Sequence, residues 1–432
     1  MDSLDLSIVV ASVLTPFFYW GFLTTESRRR RFEDTPTSKA VGVFIGEVEL
    51  EGTAEASVPL GAPLSGQDSV WYRWEVAEEW RRIEKVKLSP SRAKALNKEY
   101  EEREIKGWKV VDGGTAAPPF YLKDDTGCVR INPEKADIQP VLSYSETFSR
   151  SASLYHKAGP QTPIPDSTGR RRFTEYTIPL HHPIFVSGHS RVRDDAVAAE
   201  LAWDKDSRFF LISTKTEKKQ IYGQRGKSFG CQICFVGLSA FILGGLFRDW
   251  NQAILGGVLG FVAVLFGWAW IVHQSMIKLK NRSNQAKSNM DVELKRRHSL
   301  IPLLIETVKG FRDHERGTLS SLTTLRSQLA VDSVDAAGTE GTFIPMAKDL
   351  MAVSEKYPEL KSSALFLNLQ KNLAETEERI ALARTYYNDT VQYVNTRREV
   401  FPEGLIARLS GVKKMDYFHA ENFERHPVTI ET

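Results

Sequence analysis

Three long apolar runs without charged side chains stand out along a sequence that is otherwise mixed. They cover residues 6–23, 229–247 and 251–272. A helix of about 20 apolar residues, rising about 1.5 Å per residue, crosses the hydrocarbon core of a bilayer. The second and third runs have that length, while the first is slightly short and contains Pro16. The pattern predicts a membrane protein with three transmembrane helices, the last two forming a hairpin.

Between the first two apolar runs, short segments alternate apolar and polar residues, which is the pattern of half-buried β-strands. In 70–76 every second residue is expected to face a core, with Arg73 and Glu75 facing water. A hairpin is predicted at 120–131, where Gly127 would supply a positive φ in the turn. Further strands are predicted at 42–50, 172–177, 184–192 and 209–214. Together these strands predict a small antiparallel β-barrel or sandwich.

Beyond the third apolar run the apolar residues recur in steps of three and four, which is the pattern of helices packed along one face. The longer stripe comprises Phe366, Leu369, Leu373, Thr376, Ile380, Ala383, Tyr387, Thr390 and Val394. The other comprises Leu300, Leu304, Val308 and Phe311, followed by Leu322, Leu325 and Leu329. The Gly-rich segment 331–345 is predicted to be a loop between them. The chain is therefore expected to fold back as an antiparallel helical bundle that emerges from the membrane.

These patterns place the chain in the α+β class, as a membrane protein with a small antiparallel β-barrel or sandwich domain, transmembrane helices and an antiparallel helical bundle. The charged segment 81–106 lacks apolar periodicity and is expected to be an exposed excursion of the β-domain. The predicted domains are an anchor at 1–24, a β-domain at 25–228, a transmembrane hairpin at 229–273, a bundle at 274–420 and a tail at 421–432.

Basic residues are concentrated on one side of the apolar runs. They are Arg28, Arg29, Arg30, Arg31, Lys39, Lys215, Lys218, Lys219, Arg225, Lys227, Lys278, Lys280, Arg282 and Lys287. The other side has an acidic N-terminal stub and a loop with Arg248 alone. Because cytoplasmic loops carry an excess of Lys and Arg, we predict a multi-pass protein of the cytoplasmic membrane, with residues 24–228 and 273–432 in the cytosol. Asp2 and Asp5 replace the basic start of a signal peptide, which favours an uncleaved anchor.

The overall charge balance argues against a nucleic-acid-binding protein. The chain has 57 basic and 54 acidic residues, so no global positive field attracts nucleic acid. The run 28–31 follows the first apolar segment directly, and we interpret it as a topology anchor near anionic lipid. We expect a lipid bilayer as partner and no nucleic acid.

Candidate catalytic or metal-binding chemistry is sparse. The three cysteines are Cys128, Cys231 and Cys234, and the last two form a C-x-x-C pair inside an apolar run. A redox or metal role would require exposure and further ligands. His181, His182 and His189 suggest a metal site, but adjacent residues on a strand point to opposite faces, so loop or surface histidines are favoured. We expect no catalytic residue, no cofactor and no metal.

Two groups of residues are candidates for helix packing and assembly. Gly256 and Gly260 form a G-x-x-x-G motif, with Gly244 and Gly245 at a similar depth, so close helix contact is expected either between chains or within one hairpin. The charged candidates for contacts between subunits are Lys295, Arg296 and Arg297 on one helix and Glu375, Glu377 and Glu378 on another. The alternative for these charges is salt bridging within one bundle.

The first cytosolic region resembles the GIDE domain. The resemblance rests on GEVELEGTAEASVPLGAPLSG, VWYRWEV, PFYLKDDTGCVRI and FTEYTIPLHHPIFVSGHSRV. That domain lies between two membrane spans in a mitochondrial RING ubiquitin ligase and also occurs in prokaryotic membrane proteins. Three cysteines are too few for a RING-type zinc module, so the resemblance does not imply ligase activity here.

The C-terminal region resembles the LemA family over about 140 residues. The resemblance rests on LKRRHSLIPLLIETVKGFRDHE, EKYPELKSSALFLNLQ and ETEERIALARTYYNDTVQYVNTRREVFPEGLIA. Val394 stands where the family usually has a Tyr, and Lys287 where an Ala-Trp pair is common. The resemblance implies a membrane-anchored helical bundle with no established enzymatic activity.

Three classes of function remain. The leading hypothesis is a non-enzymatic membrane scaffold that self-associates into a homo-oligomer through its spans and bundles. The alternative is a receptor or adaptor whose β-domain binds a peptide, a lipid headgroup or a partner enzyme, with Trp71, Trp80 and Trp108 as candidate surface residues. An enzyme is least favoured, because no nucleophile–base or metal constellation is present in the sequence.

Overall fold

The computed structural model describes residues 3–87, 100–192, 199–205, 207, 209–312 and 364–418. These residues form two compact units. The β unit comprises Thr37–Glu217, and the helical unit comprises Met1–Pro36 together with Lys218–Thr432. The chain is therefore α+β, as its two patterns of apolar residues predict.

The β unit contains thirteen strands among the described residues. They are β1 (Thr37–Ser38), β2 (Gly46–Glu55), β3 (Leu60–Gly61), β4 (Asp68–Lys87), β5 (Tyr100–Ala116), β6 (Phe120–Lys123), β7 (Cys128–Ile131), β8 (Asp137–Gln139), β9 (Val141–Ser149), β10 (Ser167–Pro179), β11 (Pro183–Val192), β12 (Ala199–Ala202) and β13 (Leu211–Ser213). Each strand predicted from alternation is present, with ends shifted by a few residues except in β4, which continues to Lys87.

Five of these strands close into a barrel. The order runs β2–β6–β7–β12–β11, and β11 pairs back onto β2. Inward-facing apolar side chains such as Leu50, Leu122 and Val186 fill the interior and are fully buried. The prediction of a purely antiparallel domain is wrong, because β12 pairs with β7, β13 with β8 and β1 with β2 in parallel. Alternation predicts that a strand is half-buried but does not determine the direction of its neighbour.

The second sheet is open, with the order β3–β4–β10–β9 and β5 pairing with β4. The charged segment predicted as an excursion belongs to the β4–β5 ladder, which pairs as far as Lys87 with Tyr100. Its side chains are exposed as expected, but the backbone is regular β-structure. Residues 88–99 lie outside the described residues.

Alternation in β4 is only partly confirmed. Val70 and Val76 are buried and Arg73 is exposed, but Trp71 is also buried in the core. The strand is covered on both faces near its start, so neighbouring residues are buried together. Trp71 is therefore a core residue and not part of a surface.

The turn between β6 and β7 is made differently from the prediction. Gly127 is not among the residues with positive φ. Instead the Asp124 carboxylate accepts hydrogen bonds from the backbone N–H groups of Thr126 and Gly127, at 2.8 and 2.9 Å. A Cβ at Gly127 would lie 2.9 Å from Val41 Cγ2, so close packing explains the glycine here.

The helical unit has five described helices. They are α1 (Ser3–Glu33), α2 (Glu217–Phe247), α3 (Trp250–Arg312), α4 (Ala364–Glu399) and α5 (Glu403–Leu409). Three segments are long and apolar enough to cross a membrane, namely Leu6–Glu33, Glu217–Phe247 and Trp250–Leu304. The third apolar run and the first bundle helix form one continuous helix of 63 residues, about 95 Å long at 1.5 Å per residue.

Helix α4 packs antiparallel along α3. Ala286 on α3 packs against Val391 on α4, and Leu279 packs against Val394 further along. Every residue of the longer predicted stripe is buried, which confirms the face of α4 read from the sequence. Leu304 is buried in α3. The rest of the shorter stripe from Leu322 onward and the predicted loop 331–345 lie outside what the structure describes.

Candidate functional site

The predicted metal candidates are spread over the β unit. His181 and His182 lie in the turn between β10 and β11, in agreement with the loop position favoured from the sequence, and His189 lies on β11. His181 Nδ1 is 2.8 Å from Glu55 Oε2. His189 lies six residues beyond the first residue of β11. At about 3.3 Å per residue, roughly 20 Å of strand separates His189 from the start of β11. Among the described residues, no three His, Cys, Asp or Glu side chains form a metal-binding group.

The three cysteines form no disulfide with one another. Cys128 is exposed on β7, and Cys231 and Cys234 lie on α2. A Cβ added at Gly21 of α1 would lie 3.1 Å from Cys231 Sγ, so this thiol packs at a helix contact.

The four candidate glycines lie at contacts within one chain. A Cβ at Gly256 would be 2.4 Å from Ser239 O, and one at Gly260 would be 3.0 Å from the Ser239 side chain. These distances bring α3 against α2. Gly244 contacts Ala253 in the same hairpin, and Gly245 contacts Ile8 of α1. Small residues thus allow close approach of the three apolar helices.

Two of the charged candidates pair with each other in one chain. Arg297 Nη1 is 3.5 Å from Glu377 Oε1, and the arginine side chain is only 9% exposed. Arg296 lies 4.0 Å from Glu293, and Glu375 lies 4.0 Å from Lys371. Lys295 and Glu378 are exposed. A contact between subunits stays a prediction for this set.

A buried ionic junction connects the charged end of α1 to α3, α4 and α5. Arg30 Nη2 is 2.9 Å from Glu403 and its Nε is 3.3 Å from Glu26. Arg397 of α4 is 2.5 Å from Asp34, directly after α1. The Ser275 hydroxyl of α3 donates a hydrogen bond to the same carboxylate.

The junction joins segments that are far apart along the chain. Arg282 of α3 donates to the Asp34 carbonyl at 2.6 Å, and the Arg30 guanidinium lies 5.7 Å from the Trp268 ring. Asp34 and Arg30 are 5% and 3% exposed. Buried charges are tolerated only when they are paired, so these contacts restrict how the segments can be arranged. The junction therefore holds the apolar helices and the α3–α4 pair in one arrangement.

The C-terminal segment 412–418 is held along α4 by two asparagines. Asn395 donates to Met415 O at 2.9 Å and accepts from Met415 N at 3.0 Å. Asn388, one heptad earlier, makes the same pair of bonds with Phe418. The heptad spacing of the two asparagines was visible in the sequence, but the segment that they bind was not.

The β unit contains an aromatic cleft of about 430 Å³ on its open sheet. Trp74 of β4 and Tyr144 and Phe148 of β9 line it, together with Phe173 of β10. Pockets of this size, mostly apolar with a few polar groups, are the usual form of ligand sites. Sequence reasoning missed the cleft, although Leu142, Tyr144 and Phe148 alternate along β9. Among the predicted tryptophans, Trp80 and Trp108 do not line it.

One wall of the cleft is held by a buried ion pair. Glu78 is fully buried, and Arg171 Nε and Nη2 donate to its Oε2 at 3.1 and 3.0 Å. Tyr155 and Ser167 donate to Oε1 at 3.0 and 2.5 Å. Burial raises the pKa of the Glu78 carboxyl, but the hydrogen bonds from Ser167, Arg171 and Tyr155 outweigh it and hold that pKa below its usual value.

The same arginine fixes the loop that forms this wall. Its Nη1 donates to Tyr155 O and Ala158 O, and its Nη2 donates to Pro160 O. Gly159 in this loop has φ +97° and donates its N–H to Asp112 at 2.9 Å. The loop is therefore preorganised before any ligand binds.

The opposite wall is held by a second buried carboxylate. Glu175 is fully buried and accepts hydrogen bonds from the N–H groups of Leu64 and Ser65, at 2.8 and 2.9 Å. The Ser65 hydroxyl donates to it at 2.5 Å. Two carboxylates from neighbouring strands thus position two loops around the aromatic floor.

Comparison with protein families assigns both parts of the chain. Residues 286–431 match the model of the LemA family, and residues 92–245 match the GIDE model, described as E3 ubiquitin ligase. The chain joins a GIDE region to a LemA-family region. The GIDE match begins later than the predicted resemblance at residue 46 and ends within α2.

Similar proteins support the LemA assignment. Protein LemA of Metamycoplasma hominis is 24% identical over 160 residues, which are 36% of this chain and 72% of that protein. Magnetosome protein MamQ of Magnetospirillum gryphiswaldense is 30% identical over 82 residues, and MamQ 2 of Paramagnetospirillum magneticum is 33% identical over 81. The chain spans 30% of each MamQ protein. The LemA-family region contains the Asn388 and Asn395 contacts and the Arg397 side of the junction.

Proposed function

We propose that this GIDE–LemA protein is a non-enzymatic scaffold anchored in a membrane by α1, α2 and the apolar part of α3. The buried ionic junction carries the proposal. Helix α3 continues without interruption from its apolar part into the LemA-family region. Arg397 and Arg30 also fix α4 and α5 to α1. The α3–α4 pair therefore extends rigidly from the membrane helices. A rigid attachment of the helical pair to the membrane helices is more typical of a scaffold than of an enzyme that must move.

Anchoring of many copies in one membrane would favour self-association. Copies held in one membrane have a high local concentration, so weak lateral contacts suffice. Exposed ion pairs contribute about 0–1 kcal/mol each, so only many repeats in a closed, symmetric assembly would hold. Lys295 and Arg296 on α3 and Glu378 on α4 are the exposed charges that support this contact.

The test compares charge reversals at two levels of α3. Lys295→Glu with Arg296→Glu should lower the mass of the detergent-extracted particle without loss of helical circular dichroism. The matched control, Lys280→Glu with Lys287→Glu, reverses two exposed charges elsewhere on the same helix and should leave the mass unchanged. Salt should act like the first variant, because exposed pairs are screened. Equal masses for all three proteins would refute the charged contact.

The proposed orientation puts both large regions in the cytosol, as the distribution of basic residues supports. A single cysteine introduced at Asn251 should react with an impermeant reagent on intact cells, in a background with Cys128, Cys231 and Cys234 replaced. One at Glu102 should react only after permeabilisation. Labelling of position 102 in intact cells would overturn the orientation.

The aromatic cleft favours a second candidate function, an adaptor whose GIDE region binds a protein partner. The two buried carboxylates preorganise its walls, which lowers the entropy cost of binding. A stoichiometric partner should be lost from a protein with Tyr144→Ser and Phe148→Ser. It should be retained by Val58→Ser, which changes an exposed apolar residue outside the cleft. Retention in both variants would count against the adaptor.

A further inference from the structure

A groove of about 870 Å³ lies in the helical unit, between α1, α2 and the apolar part of α3. One end is lined by the charged residues Glu26, Arg29 and Arg225. The other end is lined by apolar side chains, among them Phe229 and Leu265.

The groove crosses the boundary of the apolar runs. Along α2 its lining extends from Tyr222 to Gln232, about 15 Å at 1.5 Å per residue. Lys227 lies between these positions and is the last charged residue before the apolar run of α2. If α2 spans a membrane, the groove therefore connects the headgroup level to the hydrocarbon.

The side chains that line the polar end carry a net positive charge, because Arg29 and Arg225 outnumber Glu26. The Glu26 carboxylate is compensated twice, by Arg29 at 2.5 Å and by Arg30 at 3.3 Å. Arg29 is also engaged by Glu33 at 2.5 Å. Arg225 is exposed and has no ion-pair partner among the described residues. An anion entering this end would therefore meet one uncompensated guanidinium.

The surface beside the groove exposes apolar side chains, as expected of a surface at a membrane boundary. Phe401, Leu405 and Leu409 are 80%, 54% and 87% exposed and follow one another at intervals of four residues. Helix α5 packs against α3 through Ala407 and Val272, at the end of the third apolar run. Pro402, next to Phe401, lines the groove itself.

We propose that the groove binds one anionic phospholipid. The phosphate would be held by Arg225 at the charged end, and the acyl chains would lie along Phe229 and Leu265. Arginine binds phosphate oxygens through charge-assisted hydrogen bonds, which are about twice as strong as neutral ones. The inference rests on the proposed function only in that α1, α2 and α3 must lie in a membrane.

The experiment titrates the detergent-extracted full chain with dioleoyl phosphatidylglycerol and, separately, dioleoyl phosphatidylcholine, and counts bound lipids by native mass spectrometry. The first phosphatidylglycerol should bind at a lower lipid concentration than the first phosphatidylcholine. Arg225→Gln should weaken that first binding about tenfold, as expected for loss of one charge-assisted bond. The matched control is Lys227→Gln, which removes an exposed charge of α2 outside the groove lining and should leave it unchanged.

A second variant tests the apolar end. Leu265→Trp should fill the groove and weaken binding of phosphatidylglycerol at least as much as Arg225→Gln does. Inorganic phosphate at the same concentration should not displace the lipid, which separates a lipid site from a simple anion site.

Three outcomes would overturn the proposal. The first is equal binding of the two lipids, and the second is an equal effect of Arg225→Gln and Lys227→Gln. The third is a particle mass that falls on Arg225→Gln while lipid binding stays constant. That third result would mean that a second copy of the chain occupies the groove. Resistance of the protein to carbonate extraction tests the membrane placement independently. Failure of that extraction test would remove the proposed function, whereas failure of lipid selectivity alone would remove only this inference.

Discussion

Both units bury ion pairs, but the two networks differ in what they hold together. In the β unit, Glu78 and Arg171 lie on neighbouring strands, and almost every donor of the arginine is used within one loop and one carboxylate. In the helical unit, Arg30, Asp34 and Arg397 are shared among several partners from four segments of the chain. The first network is closed and local. The second network is distributed, so a charged side chain that loses one partner keeps another.

The difference predicts that the β unit tolerates loss of a charge less well. Arg171→Met should leave the fully buried Glu78 carboxylate uncompensated and lower the free energy of unfolding of the β unit by about 3–5 kcal/mol. Hydrogen exchange of the β10 amides in the intact protein measures the loss. The control is the neighbouring Arg172→Met, an exposed arginine stacked at 4.7 Å on Trp108, which should cost about 1 kcal/mol or less. Equal costs would show that burial of the ion pair is unimportant.

A smaller effect is expected for the distributed junction. Asp34→Asn removes the charge that faces Arg397, but this arginine keeps contacts of 3.7 Å with both Glu33 and Glu403. We expect a loss of about 1–3 kcal/mol, seen as faster hydrogen exchange at the C-terminal end of α4. Glu33→Gln, at a side chain 28% exposed, is the control and should have less effect. A cost above that of Arg171→Met would contradict the comparison.

The closed network should also respond to pH. The folded-state pKa of Glu78 lies below its usual value, so its interactions stabilise the β unit above the unfolded pKa and are lost as the pH falls through the folded one. Between about pH 6 and pH 3 the wild-type β unit should lose more stability than a Glu78→Gln protein. Thermal unfolding monitored at β10 measures both slopes. Parallel slopes would mean that Glu78 does not contribute.

The smallest effect is expected at the neutral hydrogen bonds of the C-terminal segment. Asn395→Ala removes two bonds to Met415 and should cost about 1–2 kcal/mol locally. Hydrogen exchange at Met415 should accelerate while the exchange of α3 stays constant. Asn368→Ala, at an exposed asparagine of the same helix, is the matched control. An effect that spreads to α3 would mean that the segment is part of the junction.

The sequence predicted elements better than the contacts between them. The buried face of α4 and the strands β4, β10 and β11 follow from periodicity, because burial of one face imposes a regular spacing of apolar residues. Strand β5 was missed because its charged, exposed side chains give no such spacing. Strand β9 was also missed, although Leu142, Tyr144 and Phe148 alternate along it. The parallel pairs, the cleft and the junction were also missed. Arg30 and Glu403 are 373 residues apart, and no local pattern encodes a contact of that length.

The central claim is that anchoring in one membrane causes the LemA-family helices of many copies to associate into one assembly. Electron-microscopic images of wild-type protein, extracted in mild detergent at low salt, test it most directly. The account predicts a large, closed, ring-like particle of many identical copies, in which the helical pairs project from one side of the detergent belt. A uniform population of monomers or dimers under the same conditions would contradict it.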